Sequence, residues 1–293
     1  MSALARYFNY NGVKVSGYDK TPTALTSALQ SEGISIHFED DIKFIDKEAG
    51  LVVYTPAVPA DHTEYNYYKN NNYTILKRSD VLGLITSTTY SICVAGTHGK
   101  TTTSAMIAHI FRDSGSGCAA FLGGIASNYE TNFWPQENAA GGNRKVSVAE
   151  ADEYDRSFLK LNPDIAVITA MDADHLDIYG TAENLEDAFI AFSGKIKKGG
   201  TLITKNGLHR SNEFSVADHI TYGLQDKTAD AYAENIRMNN GSYLYDVMIN
   251  GERMPDVELN MGGMHNIENS IAALVAAKRF GIEPGKILSA VAS

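Results

Sequence analysis

The sequence predicts an α/β protein built mainly on parallel β-sheets. Short apolar runs alternate with helical segments along most of the chain, a pattern typical of strands that are buried on both faces. A glycine-containing loop, Gly96-Thr97-His98-Gly99-Lys100-Thr101, joins one such strand to a helix. Two Asn-Gly steps, at Asn240-Gly241 and Asn250-Gly251, lie in a region of alternating polarity and favour hairpins. We therefore expect a small antiparallel β portion beside the parallel sheet.

The composition is that of a globular protein with two domains of ordinary size. The chain has 293 residues, of which 44% are hydrophobic and 20% charged, and its net charge is −10. A negative charge argues against nucleic acid, whose binding needs a basic face. No apolar run approaches the about 20 residues of a membrane helix, and no secretory signal is visible. With two cysteines and no disulfide framework, we expect a cytoplasmic protein that inserts in no membrane. The oligomeric state stays open.

Residues 1–88 form the first predicted domain, in which helices and strands alternate. The predicted helices are Ser2–Tyr10, Thr23–Glu32 and Ser79–Thr86, and the predicted strands are Val13–Tyr18, Ile34–Phe38, Leu51–Tyr54 and Ile75–Lys77. This alternation predicts a Rossmann-like domain, but such a domain begins with a strand and a Gly-rich turn. Because the chain opens directly on a helix, we expect the first strand to lie upstream of Met1 and the domain to be incomplete.

Residues 89–293 form the second predicted domain. Its apolar runs predict strands at Ser91–Ala95, Lys145–Ala149, Ile165–Ala170, Thr201–Thr204 and His219–Tyr222. Residues 231–261 predict two or three antiparallel strands joined by the Asn-Gly turns. An Ala-rich helix follows over His265–Phe280 and ends at Gly281, and a last helix begins at Glu283-Pro284.

The loop before the helix at Ser104 predicts a phosphate-binding site. A strand, a tight loop and a helix start direct backbone N–H groups and the helix dipole at an anion. Lys100 adds a mobile positive charge, and Thr101 offers a hydroxyl to Mg²⁺. Val94 stands where the usual pattern has its first glycine, so a simple Gly/Thr turn is the alternative. The flanking strand and helix favour ATP or GTP binding, by Gly96, Thr97, His98, Gly99, Lys100, Thr101 and Thr102.

Acidic residues follow two further predicted strands. Glu150 is the first polar residue after one of them, and Asp152, Glu153 and Asp155 come next. Ligands of open α/β sheets bind at this edge, and Mg²⁺ prefers oxygen ligands. We select Glu150 as the metal ligand and rank the other three below it. The alternative is a solvated acidic turn.

A second acidic group includes His175, which lies among Asp172, Asp174 and Asp177 after the strand Ile165–Ala170. Its position indicates a second cation or a contact to a γ-phosphate, with a structural histidine as the alternative.

Asn266 and Asn269 share one face at the start of the Ala-rich helix. Asparagine can bind an adenine edge or cap a helix. From the residues alone, capping is the better interpretation.

Four segments resemble, in order and spacing, the motifs of the Mur ligases of peptidoglycan synthesis. They are Gly96–Thr103, Glu150–Glu153, Asp174–Asp177 and His265–Asn269, and the resemblance covers nearly the whole chain. Residues 54–59 and 120–124 are most similar to the member that joins L-alanine to UDP-N-acetylmuramate.

The resemblance implies ATP and Mg²⁺ as cofactors and assigns residue roles. Lys100 would contact the β- and γ-phosphates, Thr101 and Glu150 would bind one Mg²⁺, and His175 would hold a second metal. Lys100, Glu150 and His175 are thus the expected catalytic residues. Asn266 and Asn269 would lie by the adenine rather than act only as caps.

The resemblance also implies three domains, for the UDP-sugar, for ATP and for the amino acid. The first would be incomplete here and the third would lie beyond Ser293, so we expect this chain to be inactive alone.

Two other ligases and one non-enzyme remain as alternatives. The ligases are the one that recycles a tripeptide onto the same sugar and folylpolyglutamate synthase. The non-enzyme is a module that only binds a nucleotide or a UDP-sugar. Acidic residues after two separate strands argue against the module, because simple binding does not need two metal sites.

Overall fold

The computed structural model describes residues 1–126, 131–137 and 144–293. The chain divides into two compact units, Met1–Leu84 and Ile85–Ser293. Within the described residues, no helix combines the length and the apolar character needed to cross a lipid bilayer.

The first unit alternates helices and short strands. Its elements are α1 (Ser2–Tyr10), β1 (Ser16–Tyr18), α2 (Ala24–Ser31), β2 (Ser35–His37), a 3-10 turn (Ile42–Phe44), β3 (Val52–Tyr54), α3 (Thr63–Asn70), β4 (Ile75–Lys77) and the first part of α4 (Arg78–Thr88). β1 pairs in parallel with β2, and β3 pairs in parallel with β4, as two separate sheets. The alternating parallel pattern agrees with the predicted class.

Local sequence explains where the helices of this unit begin. Thr23 starts α2 with a capping box, in which Thr26 N–H donates to Thr23 Oγ1 at 3.2 Å and Thr23 N–H donates to Thr26 Oγ1 at 2.8 Å. The helix α3 was not predicted, because Thr63–Asn70 has no apolar stripe of helical period. His62 caps it, with Tyr65 N–H donating to His62 Nδ1 at 3.3 Å.

The second unit is built on one ten-stranded sheet. Its strands are β5 (Tyr90–Ala95), β6 (Ala119–Ala126), β7 (Thr131–Trp134), β8 (Val146–Glu150), β9 (Ile165–Ile168), β10 (Thr201–Lys205), β11 (Asp218–Gly223), β12 (Ala231–Asn239), β13 (Ser242–Ile249) and β14 (Glu252–Leu259). Their order across the sheet is β14-β13-β12-β11-β10-β9-β5-β8-β6-β7. Pairing is parallel from β6 to β12, and β7, β13 and β14 are antiparallel to their neighbours. The mainly parallel sheet with a small antiparallel portion is as predicted.

In the part of this unit that the structure describes, the α-helices are α5 (Lys100–Asp113), α6 (Leu176–Tyr179), α7 (Ala182–Ser193), α8 (Met264–Phe280) and α9 (Pro284–Val291). The Ala-rich α8 is buried along most of its length, and residues 271–277 are all fully buried. Alanine is the best helix former and its small side chain lets other elements approach closely. Gly281 ends α8 with a φ of 100°, and Pro284 opens α9 after the capping residue Glu283.

Strands β6 and β7 were not predicted from the sequence. β6 carries Gly123 and Gly124, and glycine is depleted in strands because it has no side chain to pack. Pairing of β6 with β8 and β7 nevertheless fixes this segment as a strand. Tertiary pairing here overrides local preference.

The topology places the end of β5 at a switch point. β5 is an interior strand, and the chain returns to it on one side as β8 and on the other side as β9. The connections after β5, β8 and β9 therefore meet at the same sheet edge. In open α/β sheets, ligands bind in this crevice.

Candidate active site

The loop between β5 and α5 is fixed by glycine and by contacts to the segment after β9. Gly96 has a φ of 137°, and a Cβ at this position would overlap Thr169 Oγ1 and come within 2.8 Å of Ala170 N. Thr97 N–H donates to Ala170 O at 3.1 Å, and Thr97 Oγ1 accepts from Asp172 N–H at 3.2 Å. Only glycine fits at position 96, because any side chain would push the loop away from its neighbours.

The far end of the loop packs against α8. Gly99, with a φ of 83°, precedes the first residue of α5, and a Cβ there would lie 2.9 Å from Asn269 Oδ1. Thr169 Oγ1 also donates to His98 O. The loop is thus held by two elements, with the N-terminus of a 14-residue helix at its end. Such a terminus favours an anion, through its free N–H groups and its dipole.

Lys100 is directed back toward this loop by two acceptors. Its Nζ donates to Gly96 O at 2.7 Å and to Glu153 Oε1 at 2.7 Å. The Lys100 side chain is 15% exposed and that of Glu153 is fully buried. An ammonium group has three N–H donors, so this arrangement leaves one for an incoming phosphate oxygen.

Thr101 and Glu150 form an oxygen-rich pair beside the lysine. Thr101 Oγ1 donates to Glu150 Oε1 at 2.9 Å, and Gly123 N–H donates to Glu150 Oε2 at 2.8 Å. A Cβ at Gly123 would come within 2.7 Å to 2.8 Å of the Glu150 carboxylate, so glycine provides the space that this carboxylate occupies. Glu150 is half-buried and Thr101 is exposed.

These two side chains fit Mg²⁺, which takes hard oxygen ligands and keeps several waters. Across residues 1–126, 131–137 and 144–293, no three His, Cys, Asp or Glu side chains form a preformed metal cluster. A cation here would therefore be held by Thr101, Glu150, water and the phosphates of a nucleotide.

His175 lies near Glu153. Its Nε2 is 3.6 Å from Glu153 Oε1 and 3.7 Å from Asp174 Oδ2, and its ring contacts that of Tyr154 edge-on at 5.3 Å. His175 has a left-handed φ of 49°, an uncommon conformation for a residue with a side chain. The structure thus groups His175 with Lys100 around one carboxylate.

Glu153 is the site residue that the sequence interpretation ranked too low. It follows β8 in a run of four acids, and nothing in that run indicates which acid turns inward. The structure shows that Glu153 is fully buried, whereas Asp155 is exposed and Asp152 half-buried. Burial of a carboxylate is costly unless it is paired, and its ion pair with Lys100 provides the partner.

The remaining predicted residues lie around the loop. His98 is 72% exposed, with Nε2 at 3.9 Å from Asp172 Oδ2, and Thr102 is half-buried in the first turn of α5. The capping interpretation of Asn266 is wrong, because Gly263 is the N-cap of α8 and Asn266 Nδ2 donates back to Gly262 O at 2.6 Å. Asn269 instead lies against the loop at Gly99.

This arrangement can hold a polyphosphate and a divalent cation together. The helix N-terminus and Lys100 supply positive charge, and Thr101 and Glu150 supply oxygen ligands on the same side of the sheet. Phosphoryl transfer depends mainly on such positioning and charge neutralisation.

Comparison with known proteins identifies family models that match both units. Residues 94–277 match the Mur ligase middle domain, and residues 1–90 match the model described as Mur ligase family, catalytic domain.

Curated relatives match over the whole chain. A UDP-N-acetylmuramate–L-alanine ligase from Flavobacterium johnsoniae is 47% identical over 298 residues, covering 100% of this chain and 63% of the relative. The enzyme of the same name from Porphyromonas gingivalis is 43% identical over 299 residues, covering 100% of this chain and 64% of the relative. The chain therefore spans about 63% of the length of the curated relatives it matches.

Solved structures share the fold. The UDP-N-acetylmuramate-alanine ligase from Thermotoga maritima has a TM-score of 0.83 at 26% identity, over 99% of this chain and 65% of that one. The UDP-N-acetylmuramate:L-alanyl-gamma-D-glutamyl-meso-diaminopimelate ligase from Neisseria meningitides has a TM-score of 0.85 at 22% identity, over 100% of this chain and 94% of that one.

Proposed function

This chain belongs to the Mur ligase family, and we propose that it is the nucleotide-binding part of an ATP-dependent ligase that joins L-alanine to UDP-N-acetylmuramate. One observation carries the proposal. The first two residues of α5 contact two glutamates at the carboxyl end of β8: Lys100 contacts Glu153, which lies just after the strand, and Thr101 contacts Glu150, the last residue of the strand. A lysine and a hydroxyl on a helix N-terminus, each beside a carboxylate, suit an ATP–Mg²⁺ complex.

The proposed roles follow from these positions. Lys100 binds the β- and γ-phosphates, while Gly96, Thr97, His98, Gly99 and Thr102 complete the phosphate loop around them. Thr101 and Glu150 hold Mg²⁺, which would neutralise phosphate charge when bound. His175 acts on the γ-phosphate side, where a second metal would bind, and Asn266 and Asn269 lie on the adenine side.

The proposed reaction transfers the γ-phosphoryl group of ATP to the muramoyl carboxylate. The amine of L-alanine then attacks the resulting acyl phosphate, the C–N bond forms, and inorganic phosphate leaves. Lys100 balances the negative charge that moves during the first transfer, and electrostatic stabilisation of this kind is usually the largest catalytic term. We propose that residues 1–88 bind the UDP-sugar and residues 89–293 bind ATP.

The choice of L-alanine rests on the curated relatives. Those at 43% and 47% identity are named as L-alanine ligases. The tripeptide-type ligase at 22% identity and the L. casei FPGS at 16% identity share the fold only. A module that only binds a nucleotide would not need the Thr101–Glu150 pair in addition to Lys100.

The test is a phosphate-release assay on the intact protein that carries these residues. Mg²⁺, ATP and UDP-N-acetylmuramate are supplied with one of L-alanine, glycine, L-serine or the tripeptide. We expect L-alanine to give the highest kcat/KM, with no release when the UDP-sugar is omitted. Lys100→Ala should lower kcat/KM on the order of a hundredfold or more.

Three outcomes would contradict the proposal. Tripeptide preferred over L-alanine would indicate the recycling ligase, and glutamate transfer to a folate would indicate folylpolyglutamate synthase. Nucleotide binding without phosphate release under any condition would indicate a binding module. Arg112→Ala provides a matched control, because this exposed cation lies in the last turn of the same helix α5.

A further inference from the structure

We infer that Glu153 is a positioning residue, which holds the Lys100 ammonium against the phosphate loop so that its remaining N–H meets the terminal phosphates of the nucleotide. The inference rests on the proposed function, since it concerns the same site. It gives Glu153 a role that the resemblance to the family motifs did not assign.

The Lys100 side chain is held in one direction by its hydrogen bonds. Two acceptors 2.7 Å from Nζ, Gly96 O and Glu153 Oε1, fix the direction of an otherwise flexible four-carbon side chain. Gly96 O belongs to the loop, whereas Glu153 comes from the turn after β8. Glu153 therefore links the Lys100 ammonium, which follows β5, to the turn at the end of β8.

Glu153 is itself rigidly held. Tyr179 Oη donates to Glu153 O at 2.6 Å. Phe158 N–H and Ser157 Oγ both donate to Asp152 O, at 3.1 Å and 2.9 Å. These bonds close the turn in the one conformation that buries Glu153.

The backbone of the same turn is in an uncommon conformation. Asp155 and Arg156 have left-handed φ values of 53° and 61°. Such conformations persist only where the surrounding structure enforces them, and they concentrate at functional sites. Residues 152–158 thus adopt a local geometry that directs one carboxylate inward.

Glu153 is incompletely paired. Its Oε2 is buried and has no hydrogen-bond partner within residues 1–126, 131–137 and 144–293. A carboxylate kept only for stability would have both oxygens satisfied, because an unpaired buried polar atom is destabilising. A role in orienting Lys100 accounts for this incomplete pairing, and His175 Nε2 lies 3.6 Å from the other oxygen, Oε1.

The experiment compares the affinities of ATP and AMP for the 293-residue chain by calorimetry with Mg²⁺ present. Lys100 serves the terminal phosphates, so the Kd ratio of AMP to ATP reports how well it is positioned. Glu153→Gln keeps the shape and an acceptor but removes the charge. We expect it to lower this ratio about tenfold, because a charge-assisted hydrogen bond is roughly twice as strong as a neutral one.

Three further variants isolate the role. Glu153→Asp keeps the charge but withdraws it by one methylene, and it should lower the ratio less than Glu153→Gln does. Asp155→Asn is the matched control on the same turn: it is exposed, asparagine tolerates its φ of 53°, and it should leave the ratio unchanged. In a Lys100→Ala background, Glu153→Gln should cause no additional fall, because the residue acts through Lys100.

The outcomes separate the inference from the proposed function. If the unmodified chain binds ATP no better than AMP, the proposed function fails and the inference fails with it. If the unmodified chain favours ATP but neither Glu153 variant lowers the ratio, only the inference is overturned. Equal weakening of ATP and AMP, or a further fall of the ratio in the Lys100→Ala background, also overturns it, since either result indicates a structural role.

Discussion

Two buried acids of the same unit are stabilised in opposite ways. Asp246, on the antiparallel strand β13, is 1% exposed. Its Oδ2 accepts from Asn235 Nδ2 at 2.6 Å and from Arg253 at 2.8 Å, and its Oδ1 accepts from Asp256 N–H at 3.0 Å. Burial alone would raise the pKa of Asp246, but these hydrogen bonds hold it at about 2.

Glu153, after the parallel strand β8, is fully buried with fewer partners. Its Oε1 accepts from Lys100 Nζ at 2.7 Å, and its Oε2 has no hydrogen-bond partner among the residues that the structure describes. Both carboxylate oxygens of Asp246 accept hydrogen bonds from residues of the antiparallel strands. Glu153 depends on one mobile cation, Lys100. An acid whose role is stability is thus satisfied by nearby donors, whereas Glu153 retains an oxygen able to accept a further hydrogen bond.

The largest expected effect comes from removing Lys100, the cation beside Glu153, and it is compared with removal of Arg253, the cation beside Asp246. Lys100→Met leaves Glu153 buried and uncompensated, which should lower the free energy of unfolding by about 3 kcal/mol. Arg253→Met should cost less than about 1 kcal/mol, because Arg253 is 58% exposed and Asp246 keeps two other donors. Urea unfolding at neutral pH measures both. Equal losses for the two variants would show that the contrast between the acids is not real.

The second prediction concerns acid stability and Asp246. Its folded pKa is about 2 and lies below the unfolded value, so its contribution is present above the unfolded pKa and is lost as the pH falls. The shift corresponds to about 2 kcal/mol, lost between about pH 4 and about pH 2. Asp246→Asn should lack this component, and its free energy of unfolding should fall less steeply over that window. Parallel curves for the two proteins would contradict the assignment.

The third prediction extends the comparison to Glu150, a partly exposed acid at the phosphate loop. Gly123→Ala would place a Cβ within 2.7 Å to 2.8 Å of the Glu150 carboxylate and displace that side chain. We expect Mg²⁺ affinity in the presence of ATP to fall about tenfold, as is usual when support of a metal ligand is lost. Thermal stability should change little, because the flexible end of Glu150 can move.

Gly124→Ala is the matched control for this experiment. Its Cβ would lie 3.5 Å from Thr101 Cγ2, an ordinary contact, so Mg²⁺ affinity should be retained. If both alanine variants weaken Mg²⁺ binding equally, the effect comes from strand β6 as a whole and not from Glu150.

The smallest expected effect concerns the anchor of Glu153. Tyr179→Phe removes the hydroxyl that donates to Glu153 O and should lower the free energy of unfolding by about 1 kcal/mol. Tyr154→Phe, at an exposed tyrosine of the same turn, should have almost no effect. Thermal unfolding of the two variants checks this, and a larger loss at Tyr154 would show that the turn is held differently.

The continuous motifs were the predictable part of the site. Gly96 to Thr101 are adjacent in the chain, so strand, loop and helix start could be recognised together. The family assignment and the α/β class with an antiparallel portion are confirmed. The roles assigned to Lys100, Glu150 and His175 stay predictions.

Other features could not be predicted, because they depend on residues far apart in the sequence. Strand β6 contains adjacent glycines and forms because β8 and β7 pair with it. In the sequence, Glu153 cannot be distinguished from its neighbouring acids. In the structure it is buried and forms an ion pair with Lys100, 53 positions earlier. The inward turn of one carboxylate is set by contacts that no local pattern encodes.

The fold class, the loop before α5 and the acids near the ends of β8 and β9 could be predicted from the chain, because they depend on local periodicity, glycine conformation and short motifs. The pairing of these acids with a cation was fixed by the tertiary fold. The order of β8, β5 and β9 in the sheet brings three strand ends together, and burial then distinguishes Glu153 from Asp152 and Asp155. The physical reason is that a buried charge is tolerated only where a distant partner compensates it.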